Sequence, residues 1–489
     1  MSRVTQAIFR GGLLLLALAL GAGCATTREP AWSTEFARST ANSFVDGPNS
    51  GAGEIVPAVL EAPLDLETAV GEFSPRDDDP LAHAAELQLA ALTAEVLKRN
   101  PSIEAMAAAW RAASERFPQM IALDDPMFGY MIGPATLNSG SVDTGWMLES
   151  SQKIPWPGKR QLRGTVAQAE ADVSLHEIEE TRQKLAETAA LAFLDYFVAR
   201  RELDLNAENM RQTDKVRQTA DNHLRAGRVR LQDVKDAEVE LGMLRQRQIE
   251  LERNYRVAAA RINVLMHRSP THPLPPPADQ PADSPDLPAT ESLQRLALDR
   301  RPDLAARAAR LRQEEAAVAL AAKEFYPDFE FVARYDAFWQ PDERDLRPQI
   351  GMNLNLPLQR ERRRAAVREA LARVEKQQAE LQSSTDQIQL EVQIAVEEIN
   401  AAQRSLAGYL QIISDAEQAV ESARAAYITA GVDFLRLLES QRKLIANREK
   451  HVEALATLHR RRAELERIIG GSTAQSEDAV KQIGWRSVR

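Results

Sequence analysis

The stretch DFEFVARYDA, Asp328–Ala337, decides the fold, because apolar and polar side chains alternate along it from one residue to the next. Its apolar side carries Phe329, Phe331, Ala333 and Tyr335. Alternation with a period of two predicts a β-strand with one apolar face. Over about 9–11 residues, with aromatic rings on the apolar side, it is what a lipid-facing barrel strand requires. A half-buried strand of a soluble sheet alternates in the same way, so this alternative stays open here.

Three further stretches show the same alternation. Their apolar sides are Ile350, Met352, Leu354 and Leu356 in the second half and, less regularly, Phe128, Tyr130 and Ile132, then Thr144, Trp146 and Leu148, in the first half. Four strands cannot close a barrel, because even the smallest membrane barrels use about eight. Open strand edges are not tolerated in hydrocarbon. The strand count therefore predicts assembly, and three copies would supply about twelve strands.

The two halves of the chain carry similar signals in the same order, about 200 residues apart. Asn100-Pro101 corresponds to Arg301-Pro302, and Ile154-Pro155 corresponds to Leu356-Pro357. Recurrence of such signals in order indicates that one folding unit was used twice. We therefore predict an internal two-fold sequence repeat.

Each half also contains a long region without proline. The runs Lys159–Ala226 and Gln359–Ala430 predict helices that would each be about 100 Å long. Gly227 and Gly431 then interrupt the pattern, and we predict a turn at each. After the first turn a heptad seam runs through Leu241, Leu244, Gln248, Leu251, Tyr255, Ala258, Ile262 and Leu265. The predicted fold class is a mixed α and β membrane protein, mostly long coiled-coil helices with a small set of strands.

The N-terminal segment predicts export. Arg3 and Arg10 precede the apolar run Leu13–Leu20, which is shorter than the about 20 residues of a membrane span and fits a signal-peptide core. Small residues then lead into Cys24, the only cysteine, in a pattern that resembles a bacterial lipobox. Gly21 stands where that pattern usually has a large aliphatic residue. We predict that Cys24 carries lipid such as palmitate; the alternative is ordinary cleavage near it that leaves a thiol.

These signals divide the chain into six segments. They are a signal peptide, 1–23; a lipidated extended tail, 24–92; a first repeat, 93–268, with a strand pair at about 119–155; a proline-rich linker, 269–290; a second repeat, 291–470, with a strand pair at about 327–357; and a C-terminal tail, 471–489. The N-terminal tail shows no sustained period, and the linker has too many prolines for a helix interior.

Composition and motifs exclude several classes of function. The net charge is −10 at pH 7, with basic residues dispersed along the helices, which argues against nucleic acid as a partner. The histidines are scattered, and no phosphate-binding loop, dinucleotide fingerprint or nucleophile elbow is present. The sequence therefore predicts no metal site, no cofactor and no enzyme.

Five segments carry a family resemblance. They are RRPDLAAR at Arg300–Arg307, IPWPGKR at Ile154–Arg160, NLPLQRERR at Asn355–Arg363, HLRAGRVRLQDVKDAE at His223–Glu238 and YITAGVDFLRLLESQR at Tyr427–Arg442. Together with Asn100-Pro101 they resemble the repeat openings, strand-to-helix passages and tip turns of outer-membrane efflux proteins of the TolC-like family. The IPWPGKR form is most similar to outer-membrane factors of heavy-metal efflux.

The resemblance implies a homotrimer in the outer membrane, lipid-anchored and extending into the periplasm. Each protomer would contribute four strands to a β-barrel that continues into a periplasmic barrel of helices. It implies an exit duct that passively conducts substrates delivered by an inner-membrane pump and a periplasmic adaptor. Outer-membrane lipid would be a further partner.

The resemblance also implies a gate at the periplasmic tip. In the family, acidic residues just after the second tip turn narrow the tunnel. The matching positions are Arg436 and Glu439, with Asp233 and Asp236 at the equivalent places of the first repeat. Because Arg436 is not acidic, we hypothesise a mixed Arg/Glu constriction closed by ion pairs between protomers and screened by salt. The simpler alternative is a solvated helix surface.

Other functions remain as alternatives at this point. A structural periplasmic coiled-coil lipoprotein would have the same helices but would need neither the alternating strands nor the repeat. The outer-membrane component of type I protein secretion would have the same architecture with another cargo. An adaptor would have one helical hairpin rather than duplicated helix pairs.

Overall fold

A computed structural model describes residues 84–133, 145–227, 229–278, 287–336, 347–428 and 434–471. All of them belong to one folding unit, Glu72–Arg489. The predictions for the signal peptide, Cys24, Gly431 and nearly all of both tails lie outside the described residues, as do Thr144 and Ala337.

The first half of the chain contains five helices and two strands within the described ranges. In chain order they are α1, Leu89–Arg99; α2, Pro101–Ser114; α3, Arg116–Ile121; β1, Met127–Ile132; β2, Trp146–Ile154; α4, Lys159–Arg225; and α5, Leu231–Leu265. The strand pair begins later than the predicted position near residue 119, because Arg116–Ile121 is helical. Pro118 lies in the first turn of α3, where a missing backbone N–H costs nothing.

The second half has the same order of elements but two helices before its strands instead of three. Its elements are α6, Thr290–Arg300; α7, Pro302–Lys323; β3, Phe329–Asp336; β4, Arg347–Leu354; α8, Arg360–Ile428; and α9, Phe434–Ile468. Helices α4 and α8 have 67 and 69 residues, which at 1.5 Å per residue makes each about 100 Å long, as predicted. None of the described helices combines the length and the apolar character that crossing a bilayer requires.

The four strands form one antiparallel sheet in the order β1-β2-β3-β4. Its central ladder joins the two halves of the chain, with Leu148 opposite Tyr335 and Ile154 opposite Phe329. The outer ladders place Tyr130 opposite Leu148. Because opposite residues share a face, the register brings the predicted apolar sides of all four strands onto one face of the sheet.

Apolar side chains form separate cores along the helices. One core joins α4 and α5 through residues such as Phe193, Leu194 and Ile262. A second joins α6, α8 and α9 through Leu293, Val392 and others. The predicted heptad seam of α5 is its packed face, since five of its eight residues are buried: Leu241, Leu244, Leu251, Ala258 and Ile262.

Where it is described, the proline-rich linker is fixed to the segment just before α1. The backbone N–H of Leu87 donates to the carbonyl of Pro276 at 2.7 Å, and Ala278 donates to the carbonyl of Leu87 at 3.0 Å. The hydroxyl of Tyr196, on α4, donates to the carbonyl of Pro275 at 3.1 Å. Burial raises the pKa of Tyr196, and the hydroxyl of Tyr255, 2.6 Å away, raises it further.

Candidate functional site

The apolar face of the sheet is open to the surroundings of the protomer. Phe128 is 75% exposed and Ile350 89% exposed, and Tyr130, Phe331 and Met352 are also exposed. Soluble monomers rarely expose a contiguous apolar patch of this kind. This face therefore requires a covering that the described part of the chain does not supply.

The opposite face of the sheet carries polar and charged side chains on β2, β3 and β4, whereas β1 places Met127 and Met131 there. Glu149 and Arg334 lie directly opposite each other on β2 and β3 and form an ion pair at 2.6 Å. The Asn353 amide donates to Glu330 across β3 and β4 at 3.3 Å. One face suited to lipid and one suited to water is the division that the strand alternation predicts.

Both edges of the described sheet are open. Strands β1 and β4 each pair with one neighbour, and no ladder joins them within the described ranges. An open edge presents unpaired backbone N–H and C=O groups, which cost several kcal/mol each in hydrocarbon. An apolar face with open edges therefore points to pairing with strands of further protomers.

Buried side-chain contacts fix the passage from β2 to α4. The side chain of Lys159 is fully buried, and its ammonium group donates to Asp328 at 2.9 Å and to the carbonyl of Tyr326 at 3.2 Å. Glu324 lies 3.4 Å from the same group. The ring of Trp156 stacks on that of Tyr326, with centroids 5.1 Å apart. These contacts fix the start of α4 to the start of β3, across the two halves of the chain.

The passage from β4 to α8 is exposed. Leu356 is 69% exposed and Leu358 is 82% exposed, and neither lies in a strand or helix. The side chain of Arg363 donates to the carbonyl of Glu324 at 2.7 Å and ties the passage to the end of α7. Exposed arginines then follow at the start of α8.

The tip turn of the first half lies between α4 and α5. Gly227 has φ +67, a left-handed conformation that favours glycine. A Cβ atom there would meet nothing within 4 Å, so only the backbone conformation selects glycine. The predicted counterpart, Gly431, lies outside the described residues.

The four gate candidates lie near the starts of α5 and α9. Asp233 and Asp236 are partly exposed in the first two turns of α5, and Arg436 and Glu439 are exposed in the first two turns of α9. No ion pair joins Arg436 to Glu439 within the described structure. Contacts between protomers, which the hypothesis invokes, are not part of a single chain, so the mixed constriction stays a prediction.

Sequence reasoning missed an ion pair beside these candidates. Glu240 on α5 is 5% exposed and accepts two hydrogen bonds from the guanidinium group of Arg442 on α9, one of them at 3.1 Å. This bond raises the pKa of Arg442. Arg247 and Glu449 join the same two helices at 2.8 Å. Glu240 and Arg442 are 202 positions apart in the chain. The sequence around Glu240 therefore does not indicate that it pairs with an arginine of α9.

A metal site would need several liganding side chains close together. Among the described residues, no three His, Cys, Asp or Glu side chains are grouped so that they could hold a metal ion.

A sheet with an exposed apolar face, followed by helices about 100 Å long, defines a class of proteins whose strands can insert into a bilayer and whose helices extend beyond it. The model of the outer membrane efflux protein family matches residues 92–266 and 293–471, and the chain belongs to that family. The predicted family resemblance is thereby confirmed. The two matched ranges coincide with the two halves described above.

Solved structures of outer-membrane channels share the fold. The channel OprN superposes with a TM-score of 0.68 at 20% identity, covering 78% of this chain and 90% of that one. CusC, whose crystal structures concern the conformational changes that accompany folding and transmembrane channel formation, gives a TM-score of 0.68 at 15% identity. The match covers 82% of this chain and 96% of that one. The open state of the MtrE channel of Neisseria gonorrhoeae gives a TM-score of 0.66 at 17% identity, covering 78% of this chain and 89% of that one.

A comparison with curated protein sequences gave no match. The matched family and these three structures are efflux proteins and channels rather than enzymes.

Proposed function

We propose that this chain is the outer-membrane exit duct of a tripartite efflux system. It conducts substrates passively from an inner-membrane pump and a periplasmic adaptor to the exterior. The observation that carries the proposal is the sheet, whose apolar face is exposed and whose polar face carries an ion pair. A structural coiled-coil lipoprotein has no use for such a face.

The duct is a homotrimer in this proposal. Four strands with two open edges need partners, and three copies supply about twelve strands, within the range of closed membrane barrels. The same three-fold arrangement places α4, α5, α8 and α9 of each protomer in a periplasmic barrel of helices. At about 100 Å, α4 and α8 are long enough to carry the duct well into the periplasm.

Conductance of the purified protein tests the duct directly. We expect discrete ion-conducting steps in planar bilayers, and a slowly migrating species on unboiled gels that becomes a monomer on boiling. A protein that leaves cells without detergent and migrates as a monomer would overturn the proposal.

The gate is a constriction built from Arg436 and Glu439 with Asp233 and Asp236. Glu439→Ala removes one of its charges and is expected to raise single-channel conductance. Glu375→Ala, an exposed change on α8 far from the tip turn, is the matched control and leaves conductance unchanged. Equal conductance of both variants would contradict the gate while leaving the duct intact.

The lipid anchor at Cys24 and the signal peptide before it are part of the proposal. Radiolabelled palmitate fed to expressing cells is expected to label the wild-type protein and not the Cys24→Ser variant. Labelling of both proteins would show that the lipid is attached at a residue other than Cys24.

A further inference from the structure

The passage from β4 to α8 has an unusual distribution of charge. Between Arg360 and Arg368 lie five arginines and one acid, Glu361, a net charge of +4 in a chain whose net charge is −10. Arg360, Arg364 and Arg368 are exposed and follow each other at helical spacing of four, so they share one side of α8. The passage is therefore a concentrated basic patch on an acidic protein.

This patch stands where basic residues destabilise a helix. The start of an α-helix carries a partial positive charge, so carboxylates are favourable there and arginines are not. Internal partners account for only part of the cluster. Arg364 pairs with Glu361 at 2.6 Å, at an exposed site. Arg360 and Arg368 have no ion pair or hydrogen bond from their side chains within the described residues.

Exposed apolar side chains lie immediately before the patch. Leu354 ends β4 on the apolar face of the sheet, and the exposed Leu356 and Leu358 continue beyond it. Along the chain the surface thus changes from apolar strand to exposed leucines to arginines. Arg360 and Arg364 are separated by about 6 Å along the helix axis, close to the depth of one headgroup layer of a bilayer. Arg368 lies about 12 Å from Arg360, and its long side chain can extend back to the phosphates.

We propose that this patch, Arg360, Arg364 and Arg368 with Leu356 and Leu358, is a docking surface for anionic phospholipid headgroups. The leucines lie among the acyl chains close to the headgroups. The guanidinium groups bind the headgroup phosphates, with which arginine forms paired hydrogen bonds. The proposal rests on the membrane-inserted duct, because only insertion brings this passage to the bilayer surface. Charge complementarity selects lipids with a net negative charge over zwitterionic ones.

Lipid retention tests the proposal. The assembled full-length protein is reconstituted into nanodiscs of equimolar phosphatidylglycerol and phosphatidylcholine and re-extracted in mild detergent, and the retained lipids are quantified by mass spectrometry. We expect the wild type to retain phosphatidylglycerol preferentially. Each arginine removed is expected to weaken this association roughly fivefold. The variant R360Q/R364Q/R368Q therefore retains the two lipids equally.

Two further variants control for the number and the position of the charges. R373Q/R404Q/R424Q removes three exposed arginines from the same helix, and we expect it to keep the preference. R360K/R364K/R368K keeps the charge and retains most of the preference. A wild type without preference, or a preference that survives R360Q/R364Q/R368Q, overturns the proposal. Loss of the preference on addition of inorganic phosphate at constant ionic strength would assign the patch to a soluble anion instead.

Conductance in bilayers of phosphatidylcholine alone separates this inference from the function. If the wild type conducts but retains both lipids equally, the docking surface is refuted and the duct stands. If the wild type neither inserts nor conducts, the duct itself is refuted.

Discussion

The two strand-to-helix passages occupy matching places in the two halves of the chain and are stabilised in opposite ways. The first buries Lys159 completely and surrounds it with Asp328, Glu324 and a backbone carbonyl. The second exposes Leu356 and Leu358 and leads into α8, where Arg360 has no side-chain partner within the described residues. The first passage is thus packed within its own protomer, and the second is exposed on it. Matching positions in the two halves of the chain therefore do not have similar environments.

The openings of the two halves differ as well. Asn100 accepts a hydrogen bond from the backbone N–H of Ser102 at 3.0 Å and caps α2, and its amide donates to the carbonyl of Leu265 at 2.9 Å. At the matching place Arg301 bridges Asp303 and Glu391, at 2.8 and 2.5 Å. Both residues dock a short helix onto a long element, one with a neutral cap and the other with charge.

The largest expected effect is at the buried lysine. Lys159→Met removes the ammonium group and leaves Asp328 and Glu324 without it, so we expect a loss of about 2–3 kcal/mol, reduced from the fully buried case because both acids are partly exposed. The measurement is loss of helical circular dichroism in guanidinium at constant detergent. Arg362→Met, an exposed change in the other passage, should cost less than about 0.5 kcal/mol. Equal losses would erase the contrast between the passages.

A smaller effect is expected at the second opening. Arg301→Met breaks the bridge to Asp303 and Glu391 and should cost about 2 kcal/mol, because hydrogen bonds between charged groups are lost at a site where the arginine side chain is 11% exposed. The same unfolding measurement applies. Arg295→Met, on the exposed side of α6, is the control and should be nearly neutral. An unaffected Arg301→Met variant would show that the bridge is only a surface contact.

Substitution at the opening of the first half should reduce the free energy of unfolding by less. Asn100→Ala removes a helix cap and should cost about 1 kcal/mol. Asn100→Asp keeps an oxygen acceptor for Ser102 but loses the donation to Leu265, so comparing the two variants separates the cap from the tether. If Asn100→Asp is as destabilised as Asn100→Ala, the tether rather than the cap holds α2.

The smallest effect is a dependence on pH that only the charged opening should show. Burial alone would raise the pKa of Asp303, but its bond with Arg301 lowers the pKa below the ordinary value of 3.8. A lowered pKa means that the unfolded chain binds the proton more readily, so the stabilisation is complete above pH 3.8 and is lost as the pH falls through the folded-state pKa. The stability difference between wild type and Arg301→Met should therefore shrink below pH 3.8. A difference that stays constant down to pH 2, roughly the lower limit of such titrations, would contradict this assignment.

Much of the fold follows from local patterns in the sequence. The apolar side of each strand was predictable, because alternation depends only on adjacent residues. The long helices were predictable to within a few residues, because the absence of proline and the position of Gly227 fix their ends. The short helix at Arg116–Ile121 was not, because Pro118 indicates a break unless it lies in a first turn.

The contacts between the halves could not be derived in the same way. The burial of Lys159 depends on Asp328, and the pair of Glu240 with Arg442 joins two distant helices. Nothing in either partner's neighbourhood indicates the other. The gate candidates Asp233, Asp236, Arg436 and Glu439 came from the family resemblance, and their roles depend on contacts between protomers that local patterns do not encode.

The central ladder of the sheet has a consequence for the order of folding. Strands β2 and β3 are adjacent in space but come from opposite halves, as the pairing of Glu149 with Arg334 illustrates. Closing such a distant pairing carries a large entropic cost and makes it intrinsically slow. The edge of β2 that pairs with β3 therefore stays unpaired until the second half of the chain is available. A chain interrupted before β3 exposes that edge and becomes prone to aggregation.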